Sequence, residues 1–597
     1  MAVVDAQERR RRLVVRTWQL AAVAGFLFGV VLIGYWWAQV VRGSYYRELA
    51  ENNRLREEPI QGPRGLILDR RGRPLVENVP SYHLLIDRSR TADLGASVHF
   101  LAGILGQSPE EVEARLASYS GVPSFRPVLM GEDLTLEQVA AVEAQNLEHP
   151  ELEIQVLQRR FYRHGNQIAH VMGYLGEASE DDLARRSGLR RGDLLGVKGV
   201  ERTYDSLVRG VDGERVVVVD HRGKLIREQG RVAARPGRDL QLTLDLDLQQ
   251  EAERFFEGKV GSAVAMDPRT GEILAMVSSP SYNPNAFARR LDSSEWRAIV
   301  DDEHKPLQNR AIQNAYPPGS VFKIVTAVAA LEEGIVSPDD TVFCGGAARI
   351  YNHRFRCWKR GGHGSVNLRQ ALQHSCDVFF YHLGPKLKID RIAEWARRMG
   401  LGRATGIDLA GEKSGLVPDL QWSLRVRKTI WYPGETVSVS IGQGPLLVTP
   451  LQVAVLLAAV ANGGEIVTPH LVKDLAPPAE ARHLHLGEAT LTEVRRALQA
   501  VVDGGGTGKA ARVEGLTVAG KTGTAQVIHQ ETHIDSADLP YRFRDHAWFA
   551  SFAPVEEAEL VVVVFVEHGG HGSSAAAPLA KLLYERHFRP LPVDRDT

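Results

Sequence analysis

The feature that most constrains this chain is an apolar run without a charged residue, from Trp18 to Val41. A helix rises about 1.5 Å per residue, so the run is long enough to cross a hydrocarbon core of about 30 Å. A cleaved signal peptide is the alternative, but its apolar core would be shorter and would end in a small-residue cleavage site, and "YWWAQVVRGSYY" offers no convincing one. The sequence therefore predicts an uncleaved membrane anchor.

The residues that flank this run predict its orientation. Arginines precede it, namely Arg9, Arg10, Arg11, Arg12 and Arg16. Aromatic residues lie at its other end, namely Tyr35, Trp36 and Trp37. Basic residues stay in the cytoplasm, and Tyr and Trp suit a membrane interface. We therefore expect residues 1–17 to be a cytoplasmic tail, residues 18–41 to span the membrane, and the rest to lie outside the cytoplasm.

The length of 597 residues is too great for one ordinary domain. The net charge of −1 gives no basic field that would favour nucleic acid as a partner. From Thr91 to about Leu183, helix patterns such as "SPEEVEARLASY" and "LTLEQVAAVEAQ", both with capping-box starts, alternate with short strands. No catalytic grouping of titratable residues appears between Arg42 and about Arg235, so residues 42–238 are interpreted as a pedestal and interaction domain.

A second domain is expected over residues 239–587, followed by a C-terminal tail at 588–597. Its strand patterns come first, in the hairpin "SAVAMDPRTGEILAMVSS", and last, in "LTVAGKTGTAQVI", "HAWFASFAPV" and "ELVVVVFVEHGG". Helix patterns fill the middle. This order indicates an α+β fold, with a central antiparallel sheet whose first and last strands are neighbours and whose faces carry helices.

One stretch in the middle of this domain pairs a serine with a lysine. In "YPPGSVFK", Ser320 and Lys323 are spaced to share a helix face. A serine hydroxyl is a weak nucleophile until a base takes its proton, and a lysine kept from water can be that base. The alternative is structural: Ser320 would cap the helix and Lys323 would reach solvent.

Two later stretches add to this pair. "HSCDVFF" places Ser375 and Asp377 at a turn that enters a helix. "AGKTGTAQ" places Lys521, Thr522, Gly523 and Thr524 on a strand. Alone, the first is an ordinary helix cap and the second a glycine-rich strand edge. A lysine beside two hydroxyls can also bind a carboxylate. We therefore predict that the three stretches meet in one cleft.

In this order the three motifs resemble the S-x-x-K, S-x-N and K-T-G set of the penicillin-binding proteins. The flanks "HAWFASFAP", "IGQGPLLVTPLQVA" and "RGLILDRRGRPL" are similar to that family too, so the resemblance covers almost the whole chain. No region resembles a glycosyltransferase, which implies a class B, monofunctional transpeptidase with a dimerisation-type pedestal. The family often has Asn at the position of Asp377, and an aspartate there resembles the elongation subgroup. An aspartate cannot donate as an amide does, so it is expected to pair with Lys323 or Lys521.

The resemblance also implies roles. Ser320 would attack the D-Ala-D-Ala terminus of a peptidoglycan stem peptide, with Lys323 as base, and β-lactams would trap the same serine. Ser375 would relay the proton with Lys521 supplying charge. The hydroxyls of Thr522 and Thr524 would hold the terminal carboxylate, and the backbone N–H groups of Ser320 and Thr524 would form the oxyanion hole. No cofactor would be needed for catalysis, and a polytopic SEDS-type glycosyltransferase would be the membrane partner.

The cysteines of the chain are Cys344, Cys357 and Cys376. With His363 they give the pattern C-x12-C-x5-H-x12-C, which suffices for a structural four-coordinate zinc site and resembles a metal site in some members of the elongation subgroup. A Cys344–Cys357 disulfide and free thiols are the alternatives, and His353 and His374 are rival ligands.

Other functions on the same scaffold remain as alternatives. A D,D-carboxypeptidase or a β-lactamase would need efficient attack of water on the acyl-enzyme, and no E-x-x-x-N pattern for that step is evident. A non-enzymatic β-lactam sensor or scaffold would need a signalling module, for which the short cytoplasmic tail leaves little room.

Overall fold

A long N-terminal helix, Ala2–Trp36, contains most of the uncharged run and continues as a π-helical turn over Trp37–Val41. The computed structural model describes residues 2–46, 55–91, 93–124, 126–190, 192–219, 225–288, 293–475, 482–528 and 536–589. Within these ranges, Glu8–Val41 is the one helical stretch that is long and apolar enough to cross a membrane, with a mean hydropathy of 2.0. This helix fits the predicted single-pass anchor.

The chain forms two compact units that alternate along the sequence. One comprises residues 1–63, 80–159 and 210–237, and the other comprises 64–79, 160–209 and 238–597. Two stretches that the sequence assigned to the pedestal, 64–79 and 160–209, therefore lie in the same unit as the three motifs.

The first unit contains a three-stranded antiparallel sheet, in the order Leu55–Ile60, Gly213–Val219 and Leu225–Val232. Its helices are Leu94–Leu105, Pro109–Ser118 and Leu136–Ala144. Both predicted capping boxes form: Ser108 pairs with Glu111, and Thr135 pairs with Gln138. Each box satisfies backbone N–H groups that the first turn of a helix leaves free.

The second unit is organised by a five-stranded sheet. Its strands are β1 (Gly261–Met266), β2 (Ile273–Ser279), β3 (Ala519–Ala525), β4 (His546–Ala553) and β5 (Leu560–Val566). The order across the sheet is β2-β1-β5-β4-β3, and every neighbouring pair is antiparallel. The first strands therefore pair with the last, as predicted, and β3 lies at an edge of the sheet, where the described residues place no further strand beside it.

Helices cover both faces of this sheet, namely α1 (Leu246–Phe255), α5 (Pro450–Ala461), α6 (Ala577–Phe588) and the helix Glu488–Val502. Three further helices, α2 (Lys323–Glu332), α3 (Asp377–Arg398) and α4 (Pro433–Val439), pack together, with α3 in contact with the other two. Side chains alternate along β4, so Phe549 packs with α1 and α6 while Trp548 and Phe552 pack with α2, α3 and α5. The two hydrophobic clusters confirm the predicted α+β architecture. The cluster that contains Trp548 also contains residues of α2, α3 and β3, which carry or flank the motifs.

Small ladders form the insert between α2 and α3. Val342–Cys344 pairs with Gly364–Val366, and Ala347–Ile350 pairs with His353–Arg356. A short helix, Leu368–Gln373, then leads into the second motif.

Candidate active site

The turn that carries Ser320 differs from the predicted one. We expected an α-helix to open at Ser320, but Gly319–Phe322 forms a 3₁₀ turn and α2 begins at Lys323. Gly319 has a φ of 52°, and its N–H donates to the carbonyl oxygen of Gly442 at 3.0 Å. This left-handed backbone prevents a regular α-helical start. In a 3₁₀ turn, side chains three residues apart are eclipsed, so Ser320 and Lys323 still share one face.

The Ser320 turn lies directly against the backbone of β3. A Cβ atom on Gly319 would be 2.5 Å from the carbonyl oxygen of Thr524, and one on Gly523 would be 2.9 Å from that of Pro318. Close approach therefore requires glycine at both positions, and at Gly319 the left-handed backbone requires it as well. The side-chain amide of Gln443 also donates to the carbonyl oxygen of Thr524, at 3.3 Å. The backbones of the first and third motifs are thus in contact.

Lys323 is completely buried and points at the second motif. Its Nζ donates to Asp377 Oδ1 at 2.7 Å, to the Ser375 carbonyl oxygen at 2.9 Å and to Ser375 Oγ at 3.2 Å. These contacts use all three hydrogens of an ammonium group. Within the described part of the chain, the Ser320 hydroxyl donates no hydrogen bond, and Ser320 is half-buried. The alternative in which Lys323 reaches solvent is therefore wrong.

The Asp377 carboxylate lies between two donors. Besides Lys323, the backbone N–H of Trp358 donates to Asp377 Oδ2 at 2.9 Å. A carboxylate accepts on both oxygens, whereas an asparagine amide has one acceptor and would turn a donor toward the other partner. The contacts thus give a physical reason for aspartate at this position, and of the two lysines it was expected to pair with, it pairs with Lys323.

Lys521 is the second buried lysine, and its Nζ donates to the carbonyl oxygen of Thr522 at 3.0 Å. Burial, and then the positive charge of Lys323, hold the pKa of Lys521 well below its ordinary value. The Thr522 hydroxyl is hydrogen-bonded to Thr507 Oγ1 at 2.7 Å. The next hydroxyl along the strand, that of Thr524, is half-buried.

Three residues of this arrangement were not predicted: Trp358, Gln443 and Thr507. Gln443 lies in the "IGQG" flank that carried part of the resemblance, which was a usable signal. Thr507 lies 15 residues from Thr522, and no local pattern marks it. Trp358 lies 19 residues from Asp377, and its contact with the second motif depends on how the insert folds.

The predicted metal ligands come together in the insert. Cys344, Cys357, His363 and Cys376 each offer a ligand atom, and all of these atoms lie within 4.8 Å of one another. His363 Nδ1 lies 3.6 Å from the sulfurs of both Cys344 and Cys357. A tetrahedral zinc ion with bonds of about 2.3 Å to sulfur and about 2.0 Å to nitrogen separates such atoms by about 3.5 Å, so the donor set fits that ion.

The structure shows no Cys344–Cys357 disulfide, whereas the alternative of free thiols agrees with it. All three thiols are buried and free of disulfides. A hydrogen bond with the thiol of Cys376 holds the pKa of Cys357 below its ordinary value. The rival ligands His353 and His374 do not belong to the group of four.

Family models match most of the chain. The penicillin-binding protein transpeptidase domain matches residues 261–585, and the penicillin-binding protein dimerisation domain matches residues 59–242. The fold and the matched family models thus define a penicillin-binding transpeptidase.

Individual relatives narrow the class. The peptidoglycan D,D-transpeptidase MrdA of Acinetobacter baumannii is 36% identical over 94% of this chain and 86% of its own length. Among solved structures, the complex of PBP2 with MreC from Helicobacter pylori has a TM-score of 0.79 at 29% identity, covering 89% of this chain and 99% of that one. A structure titled for the coordination of polymerization and crosslinking by a peptidoglycan synthase complex has a TM-score of 0.73 at 31% identity, covering 96% and 98%.

The chain belongs to the MrdA family of peptidoglycan D,D-transpeptidases, penicillin-binding protein 2. It is therefore a penicillin-sensitive enzyme that cross-links the cell wall during elongation, which confirms the predicted family, fold and activity.

Proposed function

We propose that Ser320 is the nucleophile of this transpeptidase, that Lys323 and Ser375 move its protons, and that Lys521 supplies positive charge. The observation that carries the proposal is the set of hydrogen bonds from Lys323 to both Ser375 and Asp377 of the second motif. Ser320 precedes Lys323 by one 3₁₀ turn. Ser320 Oγ would attack the carbonyl carbon of the penultimate D-Ala, the C–N bond to the terminal D-Ala would break, and an acyl-enzyme ester would remain.

Lys323 can act as the base only when it gives up a proton. As an ammonium it directs three hydrogens at Asp377 and Ser375 and has no lone pair for Ser320. As a neutral amine it keeps two of these bonds and accepts the Ser320 proton on its lone pair. Ser375 Oγ, 3.2 Å from Nζ, would then pass the proton to the leaving amine.

The edge strand β3 would hold the substrate. Its position at the end of the sheet leaves backbone groups for pairing with an extended peptide. The hydroxyls of Thr522 and Thr524 would receive the terminal carboxylate, with Gly523 allowing close approach and Lys521 supplying positive charge. The backbone N–H groups of Ser320 and Thr524 would stabilise the oxyanion, since Gly319 and Thr524 are in backbone contact. An amine of a second stem would then attack the ester and release Ser320.

Cross-linking by the full-length protein together with its glycosyltransferase and lipid-linked substrate tests these roles. We expect cross-linked glycan from the wild type and none from Ser320→Ala, because the acyl-enzyme cannot form. Cross-linking by Ser320→Ala at the wild-type rate would refute the assignment. Acyl-enzymes that are released to water faster than to an acceptor amine would instead favour a carboxypeptidase.

We also propose that Cys344, Cys357, His363 and Cys376 bind a structural zinc ion. When bound, zinc would pin the insert to the loop that carries Ser375, because Cys376 directly follows that serine. Metal analysis under reducing conditions should give one zinc per chain, greatly reduced in His363→Ala and unchanged in the matched variant His353→Ala. A wild-type protein without stoichiometric zinc would end this proposal.

For the membrane region, we propose that the N-terminus is cytoplasmic and that the anchor and pedestal bind a SEDS-type glycosyltransferase. The flanking arginines support the orientation. Support for a partner comes from the relatives, one solved with MreC and one within a peptidoglycan synthase complex. Exchange of residues 18–41 for an unrelated membrane span should weaken co-purification with the glycosyltransferase and leave penicillin binding unchanged; undiminished co-purification would exclude the anchor as a contact.

A further inference from the structure

The backbone of the second motif is strained. Ser375 has a φ of 53°, in the left-handed region that residues with a side chain seldom occupy. This conformation is unfavourable for a residue with a Cβ atom and persists only where neighbouring groups hold it. It turns both the carbonyl oxygen and the hydroxyl of Ser375 toward Lys323. Whatever holds Ser375 in this conformation therefore also holds the acceptors of Lys323.

Trp358, which follows Cys357 in the insert, contacts this strained backbone. Its indole Nε1 lies 3.1 Å from the carbonyl oxygens of both Ser375 and His374. Its backbone N–H donates to Asp377 Oδ2 at 2.9 Å. One residue of the insert therefore supplies donors on both sides of the second motif.

We propose that Trp358 is a positioning residue for the transpeptidase reaction. The Ser375 carbonyl oxygen has two lone pairs, and Lys323 and the Trp358 indole each take one. Without the indole N–H, Ser375 can relax from its left-handed conformation, and the acceptors of Lys323 move with it. The proposal rests on the roles given above to Lys323 and Ser375.

The exposure of the side chain explains why tryptophan is needed here. Trp358 is 51% exposed, so burial of its ring gives it only part of the stabilisation that a core tryptophan gains. What the ring provides is a donor-only N–H on a rigid arm, which phenylalanine lacks. Trp296 is a matched control, because it is 42% exposed and its ring contacts Phe287 rather than any of the motifs.

The test measures acylation of the full-length protein in detergent by a fluorescent penicillin. Reversible binding (Ks) and the acylation rate constant (k2) are determined separately, per active site titrated, with metal content and Tm as further readouts. The variants are Trp358→Phe, Trp296→Phe, and a protein carrying benzothienylalanine at 358, which keeps the ring shape and replaces the N–H by sulfur.

Loss of the hydrogen bond should lower k2 about tenfold in both position-358 variants, with Ks within about twofold and metal content unchanged. Trp296→Phe should keep the wild-type k2. A wild-type k2 in the benzothienylalanine protein would overturn the proposal, and so would a fall in k2 that tracks metal loss. Ser320→Ala distinguishes failure of the proposed function from failure of the role of Trp358. If Ser320→Ala is still acylated, the proposed nucleophile is wrong. If it is not acylated and the position-358 variants keep the wild-type k2, only the role of Trp358 is refuted.

Discussion

Replacement of Gly319 by alanine should separate backbone strain from loss of the active-site contact. Gly319 has a φ of 52°, and the added Cβ atom would lie 2.5 Å from the carbonyl oxygen of Thr524. Gly334, just beyond the end of α2, has a similar φ of 62° and nothing within 4 Å of such a Cβ. Alanine at either position costs about 1–2 kcal/mol for the left-handed backbone. Only at Gly319 must a neighbour also move.

The size of that movement follows from the contact distance. Ordinary contacts of a Cβ atom begin at 3.4 Å, so β3 and the Ser320 turn would have to separate by about 0.9 Å. A displacement of about 1 Å between reacting groups can cost about 100-fold in rate. We therefore expect Gly319→Ala to lower the acylation efficiency k2/Ks about 100-fold, and Gly334→Ala to leave it within about twofold.

Stopped-flow acylation with a fluorescent penicillin measures k2/Ks, and denaturant unfolding measures stability in parallel. Equal acylation by the two variants, with equal losses of stability, would show that the contact between the turn and β3 does not position the nucleophile.

Two further predictions concern the second motif and pH. Asp377→Asn leaves one acceptor for two donors, Lys323 and the Trp358 N–H, so k2 should fall about tenfold and the unfolding free energy by about 1–3 kcal/mol; a variant acylated as fast as wild type would contradict this. Burial lowers the pKa of His170 to about 4. Because the unfolded chain binds a proton between pH 6.5 and 4 that the folded chain does not, this histidine removes stability as the pH falls, by about 2 kcal/mol between pH 7 and 5. Between pH 7 and 5, the unfolding free energy of His170→Gln should therefore fall by about 2 kcal/mol less than that of the wild type. Equal losses in the two proteins would exclude the effect.

The sheet of the second unit could be predicted because its strands carry their own patterns. The hairpin over 262–279 and the last strands have apolar runs bounded by turn residues, and their order along the chain limits how they can pair. Two units were expected, but the membership of residues 64–79 and 160–209 could not be predicted, because they join the second unit through contacts between segments far apart in sequence.

In the candidate site, too, the sequence predicted the motif residues but not the contacts that depend on the fold. Motif spacing led to Ser320, Lys323, Ser375 and Lys521, which the fold brings into one region. The 3₁₀ turn was missed, because the left-handed Gly319 is set by its approach to Thr524 rather than by local propensity. The donors of Trp358 were missed because nothing in the sequence of the insert shows which way its hairpins fold back onto the second motif.

The most direct test of the central claim is the identity of the residue that a β-lactam acylates. Peptide mass spectrometry of the full-length protein after exposure to penicillin should place the adduct on Ser320 alone, and Ser320→Ala should carry none. An adduct on another residue, or undiminished labelling of Ser320→Ala, would contradict the account.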